Sequence, residues 1–519
     1  MKYTDSKIDK KLRGWFVNDN TKALLRGIKL AVGGLRGLNC LDVGFEYPIA
    51  AFSGRNGAGK STVLALACCA YHNRKGGYKL RKRTLPYYTF SDFFIQRREE
   101  LQPQGVGIVY RIAHDGWKKT EERPDGVGIG SQVRKKNFGG KWNDYDQRVK
   151  RSVAFLGIER IVPHSERSQS RSYVRSFRDA SIKGWEVSVK EIVGCILNKN
   201  YDELKYLEYS KYSLPVVRCG DLVYSGFNMG AGENALFEIF AAIYSCGYGG
   251  LIVVDEIELG LHVEAQRKFV EKLKDACLMN SVQVICTTHS KDILDCLPLD
   301  ARFYIEAVCG KTKVTHGISS SFAFSKMSGL NAREIDILVE DDVAEALLLA
   351  ALPASIRSRS NIKPIGSASA LARQLASAYV RGEDRPILAV FDGDQRSKEK
   401  DNIGHAKGMA ENPGEDFESW IKGRMTYLPG TEWPESWLVK NCQANVEVLS
   451  GMVSYATDDL LQALISGLSQ PRHKEILYVA KALGLPKGQC IQLLALCASQ
   501  HTREEFEPLV ALVSGLIDR

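Results

Sequence analysis

Short, mostly apolar runs punctuate the chain: Ile49 to Phe52, Leu251 to Val254, Val282 to Thr287, Ile335 to Val339 and Ile387 to Phe391. Runs of this length, bounded by turn residues, predict strands buried on both faces of a parallel sheet. Stretches with helical spacing lie between them, as at Val63 to Leu66 and Ala344 to Ala351. The alternation predicts an α/β fold. Residues 28–52 read as short strands broken by Gly and Asn, 105–165 as a β-meander with Gly turns, and 189–209 as helix. The near-apolar stretch from Ala235 to Val254 is long enough to test as a membrane span. Glu238, the Gly-Tyr-Gly-Gly break at 247–250 and the acidic pair that follows predict instead a helix, a turn and a buried strand. A Ser/Gly-rich stretch at 317–331 marks a boundary, and from Thr457 the pattern is almost all helical. The expected domains are 1–325 (with an insert at about 74–215), 332–450 and 451–519. There are no repeats and no sustained heptads.

Composition narrows the class. The chain has 519 residues, 25% of them charged and 44% hydrophobic, which excludes wholesale disorder, a collagen-like fibre and a small disulfide scaffold. Lys plus Arg is 70 against 61 Asp plus Glu, a net charge of +9 that raises the odds of a polyanionic partner. The excess is local. Lys79-Leu80-Arg81-Lys82-Arg83 sits beside Tyr87, Tyr88 and Phe90, and Arg134-Lys135-Lys136 and the Arg-rich run from Arg167 to Arg178 add to it. Such runs give salt-dependent, largely sequence-independent phosphate contacts, or else a solvated face. The 13 Cys have no C-x-x-C spacing, so they read as reduced structural thiols. No secretory signal or membrane span is read, and the expected location is the cytoplasm.

Gly54-Arg55-Asn56-Gly57-Ala58-Gly59-Lys60-Ser61 fits G-x-x-x-x-G-K-[ST], after an apolar strand and before an apolar helix. The backbone N–H groups around Gly54, Asn56, Gly57 and Gly59 suit phosphate oxygens. Lys60 supplies charge to the β- and γ-phosphates, Ser61 ligates Mg²⁺, and Thr62 lies beside them at the helix start. The site needs a carboxylate on a neighbouring strand. Asp255 at the end of Leu251–Val254 would hold Mg²⁺, and Glu256 would polarise the attacking water.

Met229-Gly230-Ala231-Gly232-Glu233 resembles the signature helix of ABC-type ATPases, usually L-S-G-G-[QE]. That resemblance implies nucleotide contacts from Gly230, Gly232 and Glu233 across a head-to-head homodimer. The signature Ser is Gly230 here, so backbone N–H groups and the helix N-terminus would replace its hydroxyl. Glu258-Leu259-Gly260-Leu261-His262 resembles the D-loop of the SMC-like branch, and His289 after the strand at 284–288 resembles its switch histidine. The glutamine loop of that family falls most nearly at Phe90-Ser91-Asp92-Phe93-Phe94.

A second acidic set follows the boundary. Ile335 to Val339 ends in Glu340-Asp341-Asp342, and Ile387 to Phe391 ends in Asp392-Gly393-Asp394. Carboxylates at the carboxyl ends of parallel strands converge on one sheet edge. Oxygen ligands of this kind suit Mg²⁺ or Mn²⁺, and two such ions can activate water against a phosphodiester. The pattern resembles the TOPRIM domain, a Glu after the first strand and D-x-D after a later one, which carries the metal role to Glu340, Asp392 and Asp394. TOPRIM glutamates usually precede Gly; Asp341 stands there, either helping a second ion or facing water. Glu345 is a second-metal candidate. Glu435 adds a ligand, with Glu432 as runner-up, and Lys440, or else Lys422, would stabilise the pentavalent phosphate.

An ABC-type head followed by a TOPRIM domain resembles the OLD (overcoming lysogenization defect) nucleases, over roughly residues 25–450. The Gabija nuclease subunit and retron-associated OLD proteins belong to that family. The resemblance implies a nucleotide-gated, metal-dependent DNA endonuclease, at least dimeric, serving antiphage defence. Its cofactors would be ATP and Mg²⁺, with Mn²⁺ possible at the TOPRIM site. A reverse transcriptase with its nucleic acid, or a helicase-like protein, would be the defence partner. Two other readings stay open: a nucleotide-dependent regulator with an idle TOPRIM-like module, and a DNA-repair ATPase with an SMC-like head.

Overall fold

The computed structural model describes residues 3–517 apart from 74–86, 95–99, 101–102, 104, 138–141, 143–147, 167–171, 210–211, 309, 329–332, 384 and 411–412. The described chain divides into two compact units, residues 3–330 and 331–519.

The first unit is organised by a six-stranded sheet, in the order 311–316, 302–308, 49–53, 283–287, 251–254 and 153–156. All neighbours are parallel except the outer hairpin Arg302–Val308 with Lys311–His316. The apolar runs form its central strands because both faces are covered. Ile49, Ala51, Ile252, Val254, Val284 and Cys286 feed one core. Ala50, Phe52, Leu251, Val253 and Ile285 point the other way into a second core. The two-residue period of a strand thus serves two cores from each run.

Two antiparallel sheets flank this framework. One has the order 42–44, 22–32, 106–114 and 128–136. The other orders 222–225, 212–219, 203–209 and 178–179. Among the described residues, the β-meander expected at 105–165 is one hairpin of long strands, Val106–His114 with Gly128–Lys136. Val153–Leu156 leaves it and joins the parallel sheet beside Leu251–Val254. The helix expected over 189–209 is also shorter. It runs from Glu186 to Leu197 and stops at Asn198, whose φ of 52° lies in the left-handed region. Glu203–Tyr209 is a strand: its charged and apolar residues alternate, so one face is buried and the other is wet.

An N-terminal helix, Lys7–Asn18, is tied down by a buried carboxylate. Asp9 accepts from Tyr3 Oη at 2.6 Å, Tyr47 Oη at 2.8 Å and Ser6 N at 2.9 Å, and pairs with Lys274 Nζ at 2.8 Å. Burial works to raise its pKa, but the bonds from Lys274, Ser6 and Tyr3 outweigh it and hold the carboxyl below the usual range.

The second unit is built on a four-stranded, all-parallel sheet in the order 360–364, 335–339, 387–391 and 425–427. This is the parallel sheet that the apolar runs at 335–339 and 387–391 predict. Ile335, Ile337, Val339, Leu388 and Val390 face one core, and Leu338, Ala389 and Phe391 the other. The C-terminal helices (Thr457–Leu468, Glu475–Ala482, Lys487–His501 and Arg503–Ile517) contribute Leu464, Val479, Leu494 and Val513 to the first of these. The helical tail thus packs as part of this unit and not as a separate layer.

Ala231–Cys246 is helix and Leu251–Val254 is strand, as the interrupted apolar stretch predicts. No helix among the described residues is long and apolar enough to cross a membrane. The cysteines among them are free thiols.

Asp9→Ala is expected to destabilise the first unit by about 3 kcal/mol, because it leaves the Lys274 ammonium buried without its carboxylate. Urea unfolding followed by Trp fluorescence checks this. The double variant Asp9→Leu/Lys274→Met is expected to recover most of the loss.

Candidate functional site

Two acidic edges emerge, one in each unit. In the first, Gly59 caps the helix Lys60–Cys68 with a φ of 96°, and a Cβ there would lie 2.2 Å from Leu38 Cδ2. Only glycine permits both the conformation and the contact. Lys60 is buried, and its Nζ donates to the carbonyls of Gly54 at 2.8 Å and Arg55 at 3.1 Å. Burial lowers its pKa, against the pull of Glu256, Asp255 and Glu258. An ammonium folded back on its own loop is a charge held ready for a better acceptor.

The metal-side residues meet across three elements. Ser61 Oγ donates to Asp255 Oδ2 at 3.2 Å, and Thr287 Oγ1 to Asp255 Oδ1 at 2.6 Å. The same Thr287 hydroxyl accepts from Glu256 N at 2.7 Å. Glu256 has a φ of 47°, a left-handed backbone unusual for a residue with a side chain. Arg160 holds this turn from below: its Nη1 donates to the Asp255 carbonyl at 2.6 Å, and its Nη2 to that of Glu256. Neither Thr287 nor Arg160 carries a motif, so the sequence does not single them out. His289 is half-buried, and its N–H donates to Glu258 Oε1 at 2.6 Å.

The signature helix Ala231–Cys246 begins at Gly230, its N-cap, with no side-chain cap. A Cβ on Gly232 would lie 2.0 Å from the carbonyl oxygen of Gly260. The signature start and the D-loop therefore touch backbone to backbone. The Glu233 side chain turns inward, accepting from Tyr201 Oη at 2.5 Å and Tyr224 Oη at 2.7 Å and pairing with Lys199 at 3.1 Å. The segment Phe90–Phe94 is a short helical turn whose Phe90 stacks on Trp142 at 4.0 Å.

In the second unit, Glu340, Asp392 and Asp394 follow the carboxyl ends of neighbouring parallel strands, and Glu435 opens the helix Pro434–Ala444. Asp392 N donates to Glu340 Oε1 at 3.3 Å. Asp392 is 7% exposed and Glu435 5%. Asp392 Oδ1 and Glu435 Oε2 are buried with no hydrogen-bond partner. Burial, then repulsion from Glu340, Asp341, Asp394 and Glu435, pushes the Asp392 carboxyl up to about 8. Burial likewise raises Glu340. Orphaned carboxylate oxygens among like charges are the donor set of a hard divalent cation, so these residues fit Mg²⁺ or Mn²⁺. As they stand, however, no group of three or more His, Cys, Asp or Glu side chains among the described residues is placed to hold a metal ion.

Asp341 is the N-cap of Asp342–Ala351, its Oδ1 accepting from Val343 N at 3.0 Å and Ala344 N at 2.9 Å, which explains a carboxylate where Gly is usual. Glu345 is half-buried in the first turn of that helix. Lys440 pairs with Glu432, which also accepts from Ser436 at 2.9 Å, and Lys422 pairs with Glu418 at 2.9 Å. The side chains that stand on the cluster are two the sequence did not point to. Arg472 Nη2 donates to Asp394 Oδ2 at 2.8 Å, and His473 Nδ1 lies 2.9 Å from Glu435 Oε1.

The basic runs divide. Lys79–Arg83 and Arg167–Arg171 lie outside the described residues. Arg134 is buried in its strand while Lys135 is exposed, and Arg175 and Arg178 are exposed. The aromatics beside the first run pack inward: Tyr87 against His72 at 4.6 Å, and Tyr88 Oη accepting from Phe155 N at 3.0 Å.

Residues 109–295 match a protein-family model described as "AAA domain, putative AbiEii toxin, Type IV TA system". The match takes in the signature helix, Asp255, Glu256 and His289. The match begins after the P-loop at 54–61. No curated protein matches the chain. Among solved structures, the SMC head domain from Thermotoga maritima aligns at 14% identity and a TM-score of 0.34, covering 56% of this chain and 98% of that one. The Pyrococcus furiosus Smc head with an extended coiled coil, bound to the C-terminal domain of ScpA, aligns at 12% and 0.33, covering 59% and 98%. The C-terminal region of the Xanthomonas campestris pv. campestris OLD protein aligns at 18% and 0.24, covering 36% of this chain and 92% of that one.

Two outcomes are expected. Gly260→Ala drives a Cβ to 2.8 Å from Gly232 N at a φ of 82°, so ATP hydrolysis should fall at least tenfold while circular dichroism stays unchanged. In EDTA, Asp392 keeps its proton to about pH 8 when folded but only to about pH 4 when unfolded. Folding thus takes up a proton in that window, and stability falls as pH rises through it. Between pH 6 and 8.5 the wild-type Tm should drop by about 3 °C or more beyond that of Asp392→Asn. Parallel pH profiles would show that Asp392 is not the group concerned.

Proposed function

We propose that the chain is an ATP-binding, divalent-metal-dependent DNA endonuclease of the OLD type, with the chemistry in the second unit and nucleotide control in the first. The observation that carries this reading is the buried, under-compensated Asp392, with its partnerless Oδ1, at the carboxyl edge of a parallel sheet. A structural rim has no use for a carboxylate that burial and four like charges keep from ionising.

Glu340, Asp392, Asp394 and Glu435 would hold the divalent cation, Mg²⁺ or Mn²⁺, with Glu345 as a further ligand. When bound, such ions polarise water and stabilise the leaving oxygen of a phosphodiester. The chain's own part is to present the carboxylates on rigid strand ends, to exclude water behind Asp392 and to release the Asp392 proton on loading. Lys440 would stabilise the phosphate from the first turns of the helix that carries Glu435.

In the first unit, Gly54 to Thr62 would bind the ATP phosphates, with Lys60 leaving the Gly54 and Arg55 carbonyls for them. Ser61 and Asp255 would hold Mg²⁺, and Glu256 and His289 would orient water and sense the γ-phosphate. Gly230 and Gly232 would serve the nucleotide of a second copy, making a homodimer through the heads, whereas the inward-turned Glu233 would brace the helix start rather than touch that nucleotide. The Gly232–Gly260 contact gives that interface a direct link to Asp255 and Glu256 along the D-loop. The DNA cleaved would be foreign, in antiphage defence, with a retron or Gabija-like partner.

The test is plasmid DNA incubated with Mg²⁺ or Mn²⁺, with and without ATP, for the wild type, Asp392→Ala and Lys60→Ala. Nicking is expected for the wild type, at least a hundredfold less for Asp392→Ala, and an altered ATP response for Lys60→Ala. Absence of nicking under every condition would favour the regulatory reading.

A further inference from the structure

A guanidinium and an imidazole that meet the carboxylates of the second unit come from the helical tail. Between the helices Thr457–Leu468 and Glu475–Ala482, a short turn carries Arg472 and His473. Arg472 Nη2 bonds Asp394 Oδ2 at 2.8 Å, and its guanidinium lies 4.9 Å from the centre of the Trp433 ring. His473 Nδ1 lies 2.9 Å from Glu435 Oε1. The turn is anchored from behind, because Trp433 Nε1 donates to buried Glu475 Oε1 at 2.6 Å. His473 has a φ of 66°, a left-handed backbone held by these contacts rather than by its own preference.

The two partners of the ion pair differ in exposure. The Asp394 side chain is 14% exposed and that of Arg472 is 49%. Arg472 therefore reaches from the solvent rim into the cluster, and its guanidinium can turn back to solvent once another cation compensates the mostly buried Asp394. Asp394 belongs to the 3-10 turn Gly393–Lys398 that follows the strand Ile387–Phe391. A divalent cation on Asp394 would face a guanidinium on the same carboxylate, and like charges that close repel each other. The displaced guanidinium would sit at the rim above Trp433, with its planar fork free. That fork matches the paired oxygens of a phosphodiester.

We propose that Arg472 is an exchange residue: it neutralises Asp394 in the cation-free protein, yields that carboxylate to the divalent cation, and then receives a backbone phosphate of the nucleic acid. The choice of ligand rests on the nuclease reading above; the competition with the cation does not. Two of the four carboxylates, Asp394 and Glu435, thus already face a guanidinium or an imidazole.

The experiment uses the full chain with Arg472→Ala, Arg472→Gln and Arg472→Lys. Calorimetric titration with Mn²⁺ in the absence of DNA reads the competition. Removal of the guanidinium should tighten Mn²⁺ binding by about tenfold in the Ala and Gln variants, the worth of one charge-assisted bond, while Lys stays near wild type. Binding of a short DNA duplex in Ca²⁺ reads the second role. The Ala and Gln variants should bind about tenfold more weakly, with the slope of log K against log salt reduced by about 1.

Unchanged Mn²⁺ affinity in both the Ala and Gln variants would overturn the exchange. Tighter Mn²⁺ binding with unaltered DNA affinity and salt slope would overturn the phosphate role. Arg472→Gln keeps length and polarity, so it decides the matter where Arg472→Ala fails to fold. If the wild type cuts no plasmid yet the Mn²⁺ shift appears, the nuclease reading fails and the exchange at Asp394 stands.

Discussion

Burying carboxylates at the carboxyl edge of a parallel sheet is the constraint from which the functional architecture follows. Strand ends converge there by geometry, and each carboxylate they carry must be compensated or kept protonated. The two units answer this differently. In the first, Asp255 is compensated inside the protein by the hydroxyls of Ser61 and Thr287, and Arg160 braces its backbone. In the second, Asp392 has no such partner on Oδ1 and is pushed up to about 8. Compensation there is left to something that can come and go.

That difference assigns roles. A fully braced carboxylate turn with a left-handed Glu256 is a site prepared for one fixed geometry, as phosphate chemistry on a P-loop requires. A cluster partly covered by Arg472 and His473 is a site with an alternative state. The helical tail is what makes the second state available, because its helices share the hydrophobic core of the strands that carry Glu340 and Asp392. Tail and sheet are one packed body, so the turn at Arg472 is delivered by the fold.

Much of this was legible in the sequence, for physical reasons. Leu251–Val254 and Ile387–Phe391 have one structural solution, a strand covered on both faces, and the acid that follows must then lie on the sheet edge. The P-loop was legible because its glycines are dictated by backbone geometry. Glu203–Tyr209 was misread as helix because the preceding apolar helix masked the short alternation that follows it. Asp341 looked like a possible ligand, yet a carboxylate at the start of an apolar helix is also an N-cap, and that is what it does. Arg472 was not legible at all. It lies 78 residues from Asp394 in a turn without a motif, and only the packing of the tail brings them together.

The central claim is that the second unit holds a divalent-cation site whose ligands include Asp392 and Asp394. A crystal structure of the full chain grown with Mn²⁺, with data collected at the manganese absorption edge, tests it most directly. The expected result is an anomalous peak within about 2.3 Å of the carboxylate oxygens of Asp392 and Asp394, with the Arg472 guanidinium turned away from Asp394. Well-ordered carboxylates with no anomalous peak, and Arg472 still on Asp394 at saturating Mn²⁺, would contradict it.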